Sequence, residues 1–463
     1  MTQRVPQFIP KALKKQAGLR QLPGDKSISH RAIILASLSE NTVTFHHFLM
    51  SEDCLNTIQV FRQLGVPIDY STVDGTVRVK GVGLRGLCEP KKSLDVGNSG
   101  TSIRLITGIL SGQWFNSKIT GDASIQKRPM KRIIKPLTDM GAHIVGTCVS
   151  ENIVPPLLVT GTALNGISYT LPIASAQVKS CLLLAGLFAK GITTIIEPKP
   201  TRNHTEIMLK GFGVDIKEVY LEKTGMHITL TPPQHLIYKN NDSKTLKIPS
   251  DFSSAAYFIV LALITGMDLT IHDISINPTR SALLTVFEAF GIPQRKVDDI
   301  RAVFQGITIR YAGKTMGEPF GDIRINTLGL DLQNGTVSKD LIPLVIDEIP
   351  ILSIYGLFAS GELRVDHAAE LRVKESDRIK TIVQMITALG GVINETDEGF
   401  QLRGNPEHVS PSLVRIDPHF DHRIAMSSII ASLATQTEIQ VKDIDCINTS
   451  FPHFMKVVDG LIS

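Results

Sequence analysis

The stretches QLGVPI (63–68), DMGAHI (139–144), GFGVDI (211–216), AFGIPQ (289–294) and ALGGVI (388–393) carry the reading of this fold. In each, a helix-like apolar pattern runs into a glycine: Gly65, Gly141, Gly213, Gly291 or Gly390. Glycine there suits a helix C-cap that needs positive φ, with Val or Ile opening the next strand. A sixth helix-like run closes the chain at VVDGL (457–461), around Gly460. The intervals between the six glycines are 76, 72, 78, 99 and 70 residues, against 463/6, or about 77, for equal units. Self-similarity at a fixed period is the signature of a repeat-built architecture.

Each unit also opens alike. A small or polar cluster precedes an apolar helix in DKSISHRAIILASL (25–38), GNSGTSIRLITGIL (97–110), SAQVKSCLLLAGL (175–187), DFSSAAYFIVLAL (251–263), DEIPILSIYGLFA (347–359) and DHRIAMSSIIASL (421–433). A β-like run follows each one: TVTFHHFL, KITGD, TTIIEP, LTIHDI, LRVDHA and IQVKDI. Each unit therefore reads as strand–helix–strand–helix plus further strands, an α/β (α+β) pattern repeated six times. The long fifth interval carries an insertion around Gly313–Val337. PPQHLIYKNNDSK (232–244), polar with two prolines, marks the boundary between two three-unit halves. Helices as apolar as LLLAGLFA and FIVLALI are expected inside each globule, with sheets outside.

Composition narrows the function classes. With 43% apolar and 20% charged residues, a disordered, collagen-like or coiled-coil chain is excluded. The five cysteines (Cys54, Cys88, Cys148, Cys181, Cys446) are far apart with no CxxC pair, which argues against a disulfide scaffold or zinc ribbon and fits a reducing, cytoplasmic setting. MTQRVPQFIPKALKKQ (1–16) has no apolar core of a secretory signal. The longest apolar stretches, near Cys181–Ala189 and Phe258–Thr265, fall far below the roughly 20 residues of a membrane helix. A net charge of 48 − 44 = +4 is too small to imply nucleic acid. Several motifs fail on context. GVGLRG (81–86) is followed by LCEPKK rather than a helix, and PGDKS (23–27) lacks the rest of a P-loop. His46–His47 with Asp53 reads as structural, with no cysteine at ligand spacing. No nucleophile elbow is present, and no cysteine falls in a polar cluster.

The unusual polar residues gather at helix openings. First-helix openings carry Lys26, Ser27 and Arg31; Asn98, Ser99, Thr101 and Arg104; Ser175, Gln177 and Lys179; Asp251, Ser253 and Ser254; Asp347 and Glu348; and Asp421, His422 and Arg423. Second-helix openings carry Asp53; Gln126, Lys127 and Arg128; Arg202 and Asn203; Thr279 and Arg280; Lys374, Glu375, Asp377 and Arg378; and Thr449 and Ser450. Ordinary capping accounts for Ser, Thr, Asn and Asp there. It does not account for Lys26, Arg128, Arg202, Lys374, Arg378 and Arg423, because the helix dipole disfavours cations at that end. An anion is expected to meet them.

PGDKSISHRAI, GNSGTSIRL, DASIQKRPM, SAQVKS, RVKESDRI and DHRIAMS, in that order, resemble the 5-enolpyruvylshikimate-3-phosphate synthases, a family of enolpyruvyl transferases. The resemblance runs from about Gln21 to Phe454. It implies two domains of three βαβαββ units, residues 23–241 and residues 1–22 with 242–463, crossing near Leu22 and Asn241, with the active site in the interdomain cleft. It implies transfer of the enolpyruvyl group of phosphoenolpyruvate to the 5-hydroxyl of shikimate 3-phosphate, in a monomer without cofactor or metal, and inhibition by glyphosate. By the same resemblance Lys26, Ser27, Arg31, Ser175, Ala176, Gln177, Arg202, Asp347 and Lys374 would hold shikimate 3-phosphate. Lys26, Asn98, Gly100, Arg128, Gln177, Arg378 and Arg423 would hold phosphoenolpyruvate. Lys26, Asp347 and Glu375 would be catalytic: Glu375 handles the proton at the methylene carbon, Asp347 accepts the hydroxyl proton, and Lys26 shares either role.

Three positions depart from the best-known members: Ala176 replaces a second serine, Arg202 stands beside the place of a tyrosine, and Thr449 aligns with a lysine. The related UDP-N-acetylglucosamine enolpyruvyl transferases fit less well, since they carry a Lys-Asn pair where this chain has Lys26-Ser27 and a loop cysteine where it has DASIQKRP. A non-catalytic repeat scaffold would explain the period but not the presence of both Asp347 and Glu375.

Overall fold

All five glycine endings close their helices with the same pair of hydrogen bonds. The N–H of Gly65, Gly141, Gly213, Gly291 and Gly390 donates to the carbonyl three residues back, and the following N–H donates five residues back, at 2.9–3.0 Å. This is the Schellman motif, and the five glycines have φ between +85° and +100°. The sixth differs: Gly460 lies inside the helix Phe454–Leu461 and has no positive φ.

The openings are equally regular. Asp25, Ser99, Ser175, Asp251 and Asp421 each cap a first helix through the side chain, accepting from Ile28, Ser102, Val178, Ser254 and Arg423 N–H respectively. The helix Ile349–Phe358 has Glu348 at that position with no side-chain cap bond.

The computed structural model describes residues 7–8, 12–20, 22–238, 245–301 and 304–463. They divide into two compact units: Gly24–Ile248 with Lys314–Glu318, and Met1–Pro23 with Pro249–Gly313 and Pro319–Ser463. The crossing expected near Asn241 lies outside the described residues.

In the first unit, three four-stranded sheets share one order, a parallel edge strand followed by three strands paired antiparallel. Leu94–Asp95, Asn116–Thr120, Asn152–Thr160 and His143–Val149 form one, and Ser168–Thr170, Thr193–Glu197, Gly225–Thr231 and Asp215–Leu221 another. The remaining sheet takes its parallel edge from Thr245–Lys247, which pairs with Thr42–His46 after the chain has passed through all three repeats. In the second unit the N-terminal segment plays the corresponding part. Gln16–Leu19 runs parallel to Asp268–Ser275, and Gln7–Phe8 pairs antiparallel with Glu438–Val441.

Each unit has its own apolar core, in which the first helices are buried almost all round. Every residue from Phe252 to Leu263 is buried, as are Ile28–Leu38 and most of His422–Leu433. Helices lie inside and sheets cover them, as their all-round apolarity predicts.

The insertion expected around Gly313–Val337 holds only in its second part. Gly313–Asn326 belongs to the hairpin of strands Gly306–Thr315 and Glu318–Asn326, while residues 327–337 are part of the extra length. The extra length flanks this hairpin. An added strand, Gln294–Val297, runs parallel beside Gly306–Thr315, and a segment with the short helix Ile342–Val345 follows.

Candidate active site

In the first unit, the helix openings bring together most of the expected residues. Lys26, in the first turn of Lys26–Leu38, places Nζ 2.5 Å from Asp53 Oδ2. Arg31, one turn on, donates to the Ser27 carbonyl (3.1 Å), Thr205 Oγ1 (2.7 Å) and Ser180 Oγ (2.9 Å). Burial pushes its pKa down to about 10, and the nearby charge of Arg202 acts in the same direction, against Glu206, Glu318 and Asp25.

Asn98 joins two elements: its Nδ2 donates to Asp122 Oδ2 (2.8 Å), and its Oδ1 accepts from Arg128 Nη2 (2.9 Å). At Gly100 a Cβ would meet Arg128 Nη1 at 2.7 Å and Arg104 Nη1 at 2.8 Å, so the missing side chain admits two guanidiniums to one spot. Two like charges held this close form a ready site for an anion. Gln177 Nε2 donates to Thr101 Oγ1 (3.2 Å), while Ser175 caps its helix and Ala176 begins it. Arg202 is half-buried just ahead of the helix His204–Gly211.

The second unit gathers its charges around one side chain. Arg378 is almost fully buried and donates from Nε to Asp421 Oδ2 (2.7 Å), from Nη1 to Asp347 Oδ1 (3.3 Å) and from Nη2 to Glu375 Oε2 (2.5 Å). Burial works against its charge, but Asp421, Glu375 and Asp347 together raise its pKa far above the usual arginine value. Arg423 donates to the Asp347 carbonyl (2.8 Å), and its Nη2 lies 3.7 Å from Asp347 Oδ2. Burial would lower its pKa as well; the surrounding charges, Asp347 foremost, leave it raised.

Thus the cations that the helix dipole disfavours are met, among the described residues, by carboxylates of the protein: Asp53 at Lys26, three acids at Arg378, and Asp347 at Arg423. Lys374 stands apart from this group, with Nζ on Glu370 Oε1 at 3.0 Å. Thr449 Oγ1 donates to the Cys446 carbonyl (2.8 Å). Arg128, Arg202 and Lys374 precede their helices rather than sitting in the first turn.

Asp421 and Arg104 were not singled out as site residues by sequence. Asp421 is fully buried, caps its helix, and accepts from both Arg378 and Ser376. An aspartate at an N-cap looks like any other cap, and only the DHR spacing hints that it holds an arginine.

The weaker motifs behave as structural features. His30 is buried between Thr57 Oγ1 (2.8 Å) and Ser102 Oγ (3.3 Å). His46 and His47 bond Thr76 and the Ile248 carbonyl, and no cluster with metal-ligand chemistry occurs among the described residues. Burial pushes the thiols of Cys54, Cys181 and Cys446 up to about 12, far from a nucleophilic thiolate. GVGLRG forms turns with no following helix.

A family model described as EPSP synthase (3-phosphoshikimate 1-carboxyvinyltransferase) matches residues 10–458. The chain is 41% identical over 448 residues to a 3-phosphoshikimate 1-carboxyvinyltransferase of Oceanobacillus iheyensis, covering 96% of both chains. It is 42% identical over 442 residues to the protein of that name from Desulforudis audaxviator, covering 95% of this chain and 96% of the other. A solved structure of EPSP synthase from Acinetobacter baumannii superposes with a TM-score of 0.82 at 40% identity, covering 98% of each chain.

Proposed function

The chain belongs to the EPSP synthase family, the 3-phosphoshikimate 1-carboxyvinyltransferases, and from that premise we propose which of its side chains carry the reaction. The reaction is transfer of the enolpyruvyl group of phosphoenolpyruvate to the 5-hydroxyl of shikimate 3-phosphate, a step of the shikimate pathway that releases phosphate. Both substrates are polyanions, so their binding calls for preorganised cations and N–H donors.

Shikimate 3-phosphate is bound by Lys26, Ser27, Arg31, Ser175, Ala176, Gln177, Arg202, Asp347 and Lys374. Ala176 has no hydroxyl to offer, so its backbone N–H serves. Phosphoenolpyruvate is bound by Lys26, Asn98, Gly100, Arg128, Gln177, Arg378 and Arg423. The observation that supports the catalytic assignment is the shared arginine: Asp347 and Glu375 both rest on Arg378. A substrate phosphate or carboxylate that engages Arg378 and Arg423 competes with those two acids for the same N–H groups. Released from that pairing, Glu375 takes up a proton from solvent and delivers it to the methylene carbon of phosphoenolpyruvate while cationic character develops at the adjacent carbon. The 5-hydroxyl oxygen bonds to that carbon and yields its proton to Asp347. The Glu375 carboxylate then takes back one methyl proton as the C–O bond to phosphate breaks, which restores the double bond and releases inorganic phosphate.

Residues of both units serve this one reaction, in a cytoplasmic monomer. Among the described residues no helix is long and apolar enough to cross a membrane. Light scattering of the eluted protein is expected to give one chain's mass, 50.6 kDa; a dimer mass would refute the monomer. Phosphate release, followed with phosphoenolpyruvate and either shikimate 3-phosphate or UDP-N-acetylglucosamine, tests the substrate pair. Release with shikimate 3-phosphate alone is expected, and release only with the UDP-sugar overturns the reading.

A further inference from the structure

Behind Ser175 and Arg202 lies a buried charge cluster that the reaction above does not use. Lys179, Glu197 and Glu206 are each 1% exposed, and Lys179 Nζ lies 2.7 Å from both Glu197 Oε2 and Glu206 Oε1. The three residues come from three elements: the helix Ala176–Gly186, the end of the strand Thr193–Glu197, and the helix His204–Gly211. The second oxygen of Glu197 accepts from Thr201 Oγ1 at 2.5 Å. One lysine therefore ties together both ends of the loop 198–203, which carries Arg202.

The neighbouring residues continue the network. Ser180 follows Lys179 and Thr205 precedes Glu206. Thr205 Oγ1 donates to Ser180 Oγ (2.7 Å), and the two hydroxyls accept from Arg31 Nε and Nη2. Three buried charges are a costly way to fill a core, and similar-sized apolar side chains would pack there at no desolvation cost. What the charges supply is geometry: directional bonds that fix a loop and two hydroxyls under two arginines. Glu206 of this group also supports the charge of Arg31, against burial and the nearby charge of Arg202.

We propose that Lys179 is a positioning residue for the phosphate-bearing substrate. By clamping Glu197 and Glu206 it fixes the 198–203 loop and the Ser180–Thr205 pair, and through them sets Arg202 and Arg31 for the substrate's phosphate. The inference rests on the reading that these arginines bind shikimate 3-phosphate.

The test compares wild type, Lys179→Met and Thr201→Val by calorimetric titration with shikimate 3-phosphate and by steady-state kinetics in both substrates. Lys179→Met is expected to weaken shikimate 3-phosphate binding about tenfold, as small misplacements of binding groups do. Thr201→Val keeps nearly the same shape and all three charges, and is expected to weaken it about threefold. The KM for phosphoenolpyruvate and kcat are expected to stay within about twofold in both. Circular dichroism establishes folding; if Lys179→Met does not fold, Thr201→Val decides. Unchanged binding in the folded variants overturns the proposal, and so does an equal loss for both substrates, the mark of general loosening. A wild type that does not bind shikimate 3-phosphate overturns the substrate reading beneath it.

Discussion

Gly100 and His30 show how single residues set limits on this protein. A methyl group at Gly100 would sit within 2.8 Å of both Arg104 Nη1 and Arg128 Nη1, so alanine there has to push two guanidiniums aside. Long side chains can move, so Gly100→Ala is expected to fold. Its KM for phosphoenolpyruvate is expected to rise about tenfold with little change for shikimate 3-phosphate, read by steady-state kinetics. His30 titrates well below its ordinary 6.5, chiefly through burial and further through the charges of Lys26 and Arg31. Below pH 6.5 the unfolded chain takes up a proton that the folded chain refuses. The stability linked to His30 is therefore full above pH 6.5 and is lost as pH falls below it, by at most about 1.4 kcal/mol per pH unit. Urea unfolding at pH 7.5 and pH 5.5 is expected to show a smaller acid loss in His30→Gln than in wild type.

At the scale of elements, the caps and glycine endings are what the repeat is made of. Asp251 caps Phe252–Thr265 at 2.8 Å and also holds Arg280 Nη2 at 3.2 Å, with both side chains nearly buried. Asp251→Ala removes the cap and one counter-charge of a buried arginine. A loss on the order of 3 kcal/mol is expected in chemical denaturation, more than the ~1 kcal/mol of a cap alone. These local elements were legible in sequence because capping and C-cap glycine chemistry depend on a few adjacent residues. Gly65, Gly141, Gly213, Gly291 and Gly390 each announced a Schellman ending, whereas Gly460 falls inside its helix. What local pattern could not reveal was partner choice. Nothing in the sequence Thr245–Lys247 says that it pairs with Thr42–His46, or in Gln7–Phe8 that it pairs with Glu438–Val441. Strand pairing across hundreds of residues is settled by the closure of the whole sheet. The same limit applied to the site. The arginines stood out as cations at the wrong end of a helix, whereas Asp421, which holds one of them, looked like a cap.

For the whole molecule, six repeats of one supersecondary pattern give two cores and many helix openings, and we propose that a few of those openings carry the chemistry. In the second unit Arg378 draws Asp347, Glu375 and Asp421 onto one guanidinium, and in the first Asn98, Arg104 and Arg128 meet at Gly100. We propose that Glu375 and Asp347 move the protons of enolpyruvyl transfer. Phosphate release at saturating phosphoenolpyruvate and shikimate 3-phosphate tests it most directly, with Glu375→Gln and Asp347→Asn measured beside wild type and substrate binding titrated for each. In each variant kcat is expected to fall by about a hundredfold or more while the substrates still bind. Near-normal turnover with unchanged binding in both variants would contradict this assignment.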